Sequence, residues 1–273
     1  YRLAKLPPDI GTNEVLSAVQ TGNALPVPLA PVIVLATVLT HLVGGSAGHE
    51  GAALQLGGTI GSFVGSAMRL DEADRRMAVL CGMSAVFTAL FNTPLTATFF
   101  VIEVASVGVM QYAALIPCLF SSLTAYALVG RIGPAPEAFL LRHIEPLSFV
   151  STFGVIGLAA VCGVASILFC LLLHKTAKYA KKRFKNPYLR IVVGGGVIIV
   201  LTMLFGGTDY NGVGGSVINL ALAGSARPTA FLCKALLTAV TLAAGFRGGE
   251  IVPSFFVGAT LGCVLAPMLG LPS

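Results

Sequence analysis

The first residue whose type and surroundings point to chemistry is Glu50, in the segment GGSAGHEGAALQ at Gly44–Gln55. It lies between glycines and directly before an apolar segment. A carboxylate at membrane depth is costly, and such residues are usually functional. The first N–H groups and the dipole of the following helix would favour negative charge at this point. Because the same features suit a bound anion, we predict that Glu50 competes with an anion for one site, rather than serving as a capping or interfacial residue.

A second segment, GFRGGEIVPSFFVGATLG at Gly245–Gly262, predicts an anion site of another kind. Gly248 and Gly249 precede a predicted helix that carries Pro253 in its first turn, a common helix-start position for proline. The first N–H groups of a helix have no partner within that helix, so they can bind an anion without a positive side chain. Such a site suits transport, since a bound ion must also leave.

A third segment, FNTPLTATFFVIEV at Phe91–Val104, has Asn92 and Pro94 as a helix-start signature. Glu103 closes the apolar helix that follows. Two interpretations of this carboxylate stay open, a residue on a proton pathway and a structural partner for a basic side chain.

The elements that position these residues must be membrane helices. Of 273 residues, 56% are hydrophobic and 10% charged, against about 25% charged in ordinary soluble domains. Apolar runs such as 149–173 exceed the roughly 20 residues that cross a bilayer. In hydrocarbon every backbone polar group must be paired, and the runs are too continuous for a membrane barrel. We therefore predict an all-α polytopic membrane protein.

Charge is distributed unevenly along the chain. Residues 174–190 hold seven lysines and arginines and no acid. Between two apolar segments this pattern favours a cytoplasmic loop under the positive-inside rule over a nucleic-acid site, so no nucleic acid is expected as a partner. Residues 131–146 carry balanced charge and should lie on the opposite side of the membrane.

Thirty-two glycines and fifteen prolines interrupt the apolar segments. This indicates helices that start or stop inside the membrane and line a cavity. Placing residues 48–61 over 249–262 aligns four identical pairs: Gly48 with Gly249, Gly57 with Gly258, Thr59 with Thr260, and Gly61 with Gly262. We predict one transmembrane domain over 1–273 with two repeats, at about 1–130 and about 149–273, the second incomplete. Since the chain starts at Tyr1 and stops after an apolar segment, we expect a fragment that lacks terminal helices.

Taken in chain order, 44–55, 91–104 and 245–262, the three segments resemble the motifs of the CLC family of chloride channels and chloride–proton exchangers. Members carry a GREGP-type motif, an FNAPL-type helix ending in Glu, and a GGIFAP-type motif. The resemblance runs from about residue 28 to 271. It implies broken and tilted helices in two inverted-topology repeats, and a homodimer with one pore per subunit in a lipid bilayer. We expect a multi-pass protein of the bacterial plasma membrane.

The resemblance also implies roles for individual residues. Carried over by position, Glu50 corresponds to the gating glutamate, with Gly48 and Gly51 around it in the anion site. The backbone amides of Ile251 and Val252 correspond to those that hold the central anion.

Some positions depart from the family pattern. GTNEV is the divergent counterpart of a helix-start serine motif and makes Thr12 a candidate anion ligand. His49 stands where arginine is usual. Val104 stands where chloride exchangers carry an inner proton glutamate, and Glu103 matches the preceding acid. The GGEIVP form and the absent serine motif look like the fluoride–proton antiporter branch of the family.

Anion transport is therefore the expected function, with passive chloride flux gated by Glu50 as the leading interpretation. Fluoride–proton or chloride–proton antiport is the alternative. An enzyme is not expected. An intramembrane zinc hydrolase is disfavoured because Ala53 occupies the second His position of an H-E-x-x-H motif. No G-x-x-x-x-G-K-[ST] loop indicates a nucleotide-driven pump, and six isolated cysteines suggest no metal site, so no cofactor is expected.

Overall fold

The computed structural model describes residues 11–106, 108–133 and 149–271. In these ranges the regular elements are helices, apart from one pair of bridged glycines. The α-helices of the described residues are α1 Thr12–Thr21, α2 Leu29–Leu42, α3 Glu50–Ala67, α4 Glu72–Phe91, α5 Pro94–Ala105, α6 Tyr112–Ile132, α7 Phe149–Arg183, α8 Pro187–Leu204, α9 Gly215–Leu222, α10 Ala230–Ala244 and α11 Ile251–Leu265. A single 3-10 turn follows at Pro267–Leu269.

Helix length separates two groups of apolar helices. Tyr112–Ile132, Ser151–Arg183 and Pro187–Leu204 are long and apolar enough to cross a membrane by length and composition. The apolar helices α2, α5, α10 and α11 are shorter, with 10–17 residues each. Glycine lies close to one end of three of them, at Gly44 after α2, Gly245 after α10 and Gly249 before α11, as the glycine-rich breaks in the sequence predict.

The prediction of a loop over residues 174–190 was wrong. Helix α7 runs through this basic segment to Arg183, and α8 begins at Pro187. The segment is rich in lysine and alanine, which are strong helix formers, and contains no glycine or proline before Pro187. Asn186 then caps α8, since its side chain accepts a hydrogen bond from the Tyr188 N–H at 2.9 Å. Residues 134–146 of the balanced segment, including Glu137, lie outside the described residues.

The chain divides into two compact units. The first comprises Tyr1–Thr37 and Glu50–Glu137, and the second comprises Val38–His49 and Ala138–Ser273. The first unit therefore holds α1, most of α2, and α3 to α6 in its described part. Its buried apolar core draws side chains from α1, α3, α4, α5 and α6: Val15, Val19, Leu54, Leu80, Met83, Val101, Ile102 and Cys118.

Glycines bring α3 and α4 into backbone contact in the first unit. Gly57 and Gly61, one turn apart on α3, lie against the carbonyls of Gly82 and Ala78 on α4. A methyl group at Gly57, Gly61 or Gly82 would overlap the partner backbone. Small residues spaced four apart are the usual device for such close approach of membrane helices.

The second unit packs α10 against α7, α8 and α11. Phe169 and Leu173 of α7 meet Ala235 and Ala239 of α10, with Val257 of α11 completing a small buried cluster. Around this cluster α10 also carries buried hydroxyl groups and a buried lysine, which are described below.

Three pairs of helices share one sequence offset. Helices α2 and α10 begin 201 positions apart, α3 and α11 begin 201 positions apart, and α1 and α9 end 201 positions apart. This is the offset that aligns Gly48 with Gly249. The offset supports a repeated element of three helices, whereas the proposed limits of the two repeats stay a prediction.

Gly82→Ala should destabilise the protein because the added methyl would overlap the Gly57 carbonyl. We expect the free energy of unfolding to fall by about 1–3 kcal/mol, the usual cost of overpacking. The control is Gly163→Ala, on α7, where an added methyl meets nothing within 4 Å. Denaturant unfolding in detergent measures both variants. Equal stability of Gly82→Ala and wild type would contradict the close packing.

Candidate functional site

The candidate site is organised around a pair of bridged glycines in the second unit. The Gly48 N–H donates to the Gly249 carbonyl at 2.9 Å, and the Gly249 N–H donates to the Gly48 carbonyl at 2.7 Å. The pairing is antiparallel. Two residues after Gly48 the chain begins α3, and two residues after Gly249 it begins α11. The two glycine motifs found in the sequence thus pair with each other directly.

Close approach explains why small residues lie at this bridge. A methyl group at Gly248 would collide with the Ala47 side chain and come within 3.1 Å of the Gly48 carbonyl oxygen. At Gly45 a methyl would come within 2.9 Å of the Thr40 carbonyl oxygen. Glycine is required at both positions by space.

Hydroxyl groups of α10 hold the segment that leads to the bridge. The Ser46 N–H donates to Thr241 Oγ1 at 3.1 Å, and Ser46 Oγ lies 3.0 Å from Thr238 Oγ1. All three residues are buried. Thr40 Oγ1 accepts from the Arg247 N–H at 3.1 Å, which ties α2 to the chain just before Gly249. The backbone N–H groups of Ser46 and Arg247 therefore donate to threonine hydroxyls.

A turn at residues 210–212 holds the start of the same segment. Asn211 Nδ2 donates to the Gly44 carbonyl at 2.6 Å, and the Gly212 N–H donates to the Gly45 carbonyl at 2.9 Å. The segment Gly44–Gly48, itself part of the second unit, is thus held by hydrogen bonds at both ends and in its middle to other residues of that unit.

Glu50 is the first residue of α3, and its exposed fraction is 0%. The prediction that the carboxylate lies at a helix start is confirmed. Gly51, beside it, is also buried. At an α-helix N-terminus the positive end of the dipole stabilises negative charge. A buried acid at this position can bind there as a carboxylate or release the position when it is protonated.

Thr12 begins α1 and lies against the helix of Glu50. Thr12 Oγ1 accepts a hydrogen bond from Gln55 Nε2 at 3.3 Å. Gln55 is buried and lies five residues after Glu50 on α3. The first unit therefore brings the Thr12 hydroxyl close to the first turns of α3.

Ile251 and Val252 are the first two residues of α11, as the sequence predicts. Val252 is buried and Ile251 half-buried. Glu250 precedes the helix, is exposed and makes no side-chain cap.

Glu103 has a local partner on the backbone. Its side chain is exposed, and Oε1 accepts the Gly108 N–H at 3.1 Å, so the carboxylate closes the turn after α5. Val104 is partly buried and packs against the core of the first unit. Among the described residues no group of three His, Cys, Asp or Glu side chains is placed to hold a metal ion.

Sequence reasoning missed Lys234, on α10, whose exposed fraction is 0%. Its Nζ donates to the carbonyls of Tyr210 and Gly212 at 3.1 and 2.7 Å. A signal was present, because Lys234 is the only charged residue in 228–246.

The bridge between Gly48 and Gly249 was also missed, since aligned repeats need not touch.

Comparison with known proteins decides the family. The family model described as voltage gated chloride channel matches residues 1–272. The chain belongs to this CLC family. A chloride/fluoride channel protein from Pseudomonas syringae pv. tomato is 33% identical to this CLC chain over 279 residues. A solved CLC-type fluoride/proton antiporter is 35% identical, with a TM-score of 0.90 over 95% of the chain.

These matches confirm the all-α polytopic membrane fold of the CLC chain. A slow cyanobacterial chloride/proton antiporter, 22% identical over 88% of the chain with a TM-score of 0.73, supports the fold alone. The CLC chain spans 62% of the length of the Pseudomonas relative and 66% of the solved fluoride/proton antiporter. The roles of Glu50, Gly48, Gly51, Ile251, Val252, Thr12 and Glu103 stay predictions.

Gly248→Ala should separate the bridged glycines, because the new methyl would collide with Ala47. We expect a loss of about 1–3 kcal/mol in unfolding free energy, together with faster hydrogen exchange at the amides of Gly48 and Gly249. Gly258→Ala is the matched control, since α11 leaves open space there. Slow exchange at both amides in Gly248→Ala would show that the bridge does not need this glycine.

Proposed function

We propose that the whole protein transports halide ions across a membrane through a CLC-type pathway gated by Glu50. The observation that carries this proposal is a fully buried glutamate at the first residue of α3, directly after a glycine segment bridged to the start of α11. An acid is costly at such depth, and membrane proteins keep buried acids chiefly for ion or proton pathways.

The gate works by competition. The carboxylate of Glu50 and a halide are both anions, and both are stabilised by helix N-termini. When the carboxylate is charged it occupies the anion position. When it is protonated it loses its electrostatic advantage and an anion takes the position. Flux should therefore increase as the pH falls, within the range in which Glu50 titrates.

The anion ligands proposed here are mostly backbone groups. Gly51 and the amides of Ile251 and Val252 offer N–H dipoles, and Thr12 offers a hydroxyl close to α3. The Gly48 N–H already donates to the Gly249 carbonyl, so Gly48 shapes the backbone beside the anion position rather than donating to the anion. Dipoles without a full positive charge bind an anion weakly enough for it to leave. Passive chloride flux is the leading form of this function.

Fluoride–proton antiport is the second candidate. One protein above 30% identity favours it by name, the solved fluoride/proton antiporter, and the name of the chloride/fluoride channel protein includes fluoride as well as chloride. In this chain valine occupies position 104, and Glu103 is exposed and bonded to the Gly108 amide. A proton coupled to transport would therefore use Glu50 alone.

The setting of this activity is also a proposal. The CLC family is a membrane-protein family, and two of the proteins compared above come from Pseudomonas syringae and a cyanobacterium. We infer a bacterial plasma membrane, a homodimer with one pathway in each subunit, and a cytoplasmic position for the basic end of α7.

Glu50→Gln mimics the protonated gate. In liposomes that contain the full-length protein, it should leave halide flux intact and remove its dependence on pH, and Glu50→Ala should behave similarly. Glu103→Gln is the matched control, because it changes an exposed carboxylate with a local backbone partner and should keep wild-type pH dependence. Wild-type pH dependence in both Glu50 variants would refute the gate.

The reversal potential separates the two candidate forms of transport. Under a tenfold pH gradient with symmetric halide, passive chloride flux should reverse at zero. One-for-one exchange of halide and proton would instead shift reversal by about 30 mV, half of the ~59 mV that corresponds to a tenfold gradient. A shift with fluoride alone would establish the second candidate in place of the first.

A further inference from the structure

Lys234 is a buried cation whose role the proposed gate does not explain. It lies in the second turn of α10, within an apolar stretch, and is the largest fully buried side chain among the described residues. Ionisable residues inside membrane proteins are expensive and are kept where they serve function. The contacts of its ammonium group show which parts of the structure it holds together.

Electron-rich groups of the described residues lie around the ammonium. The carbonyl oxygens of Tyr210 and Gly212 accept from Nζ at 3.1 and 2.7 Å, and Nζ lies 5.1 Å from the centre of the Phe256 ring on α11. A ring face attracts a cation, and carbonyl oxygens are strong acceptors for a charged donor. The ammonium thus joins α10, α11 and the turn at 210–212.

Packing around the ammonium fixes this turn. The Tyr210 ring is buried and meets the Phe256 ring edge-on, at 6.2 Å between centroids. Gly214 has a φ of +81°, and a methyl group there would come within 2.8 Å of the Phe256 ring. The turn is therefore pressed onto α11 close to the lysine.

The turn at 210–212 also holds the segment Gly44–Gly48, which leads to Glu50. Asn211 Nδ2 donates to the Gly44 carbonyl, and the Gly212 N–H donates to the Gly45 carbonyl. Gly212 takes part in both contacts, because its carbonyl accepts from Lys234 and its N–H donates to Gly45. Both hydrogen bonds are made by Gly212 itself, so we expect loss of the first to displace the second.

We propose that Lys234 is a positioning residue for halide transport, which holds the turn at 210–212 and through it the segment Gly44–Gly48 that precedes the gate. This inference rests on the proposed function. Lys234 is assigned no contact with the anion, and the effect of Lys234 on the anion site passes through Gly212 and Asn211. Loss of the ammonium should therefore weaken halide binding without removing any proposed ligand.

Lys234→Met tests the proposal in the full-length protein, because methionine fills similar space without a charge or donor. In liposome flux we expect the half-saturating halide concentration to rise about tenfold while the maximal rate changes less than twofold. Lys234→Arg keeps the charge and donors and should restore the half-saturating concentration to within about threefold of wild type. Lys178→Met, at an exposed lysine of α7, is the matched control and should behave as wild type.

Hydrogen exchange provides a readout that does not need transport. In Lys234→Met, amides in 44–48 and 210–214 should exchange faster, while those of α4 should not change.

If Lys234→Met does not fold, Asn211→Ala breaks the link between turn and segment with the lysine in place, and should raise the half-saturating concentration in the same direction.

The outcomes separate this inference from the proposed function. Wild-type protein that transports no halide would refute the proposed function, and hydrogen exchange would then decide whether Lys234 holds the segment. Normal wild-type transport with unchanged half-saturation in Lys234→Met, or in Asn211→Ala if the first variant does not fold, would overturn the inference alone. Failure of Lys234→Arg to restore halide affinity would likewise overturn a role for the charged donor.

Discussion

The structure depends on one constraint, that backbone N–H and C=O groups inside a membrane must find partners within the protein. Helices satisfy this along their length and fail at their ends. In the second unit the chain solves the problem with the glycine bridge, where Gly48 and Gly249 exchange both hydrogen bonds. Because the two backbones approach so closely, a methyl at Gly248 would collide with Ala47, and nearby a methyl at Gly45 would collide with Thr40. An irregular segment can then lead to the start of a helix inside the membrane.

The side chains of the second unit extend this solution. Thr238 and Thr241 provide hydroxyl groups for Ser46, and Asn211 provides an amide for Gly44. Each contact is buried or partly buried, where a polar group without a partner costs more than in water. The proposed ligands Ile251 and Val252 act through backbone groups, so their positions depend on how this network of the second unit holds the backbone rather than on side-chain rotamers. Polar residues that never touch the ion can therefore matter as much as the ligands.

The sequence predicted helix starts better than it predicted contacts. Glu50, Pro94 and Ile251 begin helices as expected, because proline, glycine and apolar periodicity act locally. The basic segment was misread as a loop because a charge pattern reports the side of a membrane and not the end of a helix, which Asn186 and Pro187 determine. The bridge and the Lys234 contacts join residues far apart in sequence. No local pattern encodes such pairs, although a lone lysine in an apolar stretch marks one partner.

The glycine contact between α3 and α4 limits how fast and by what motion the proposed gate can operate. Gly57 and Gly61 leave no gap to the α4 backbone, so α3 cannot slide along α4 without overlap. Two motions remain, rotation of the Glu50 side chain about its own bonds, and joint movement of both helices as one body. Rotamer changes of exposed side chains take picoseconds to nanoseconds, whereas collective helix movements take microseconds to milliseconds. Glu50 is fully buried, so its rotation requires its packed neighbours to yield and is slower than that of an exposed side chain. The helix pair is the frame in which this rotation takes place.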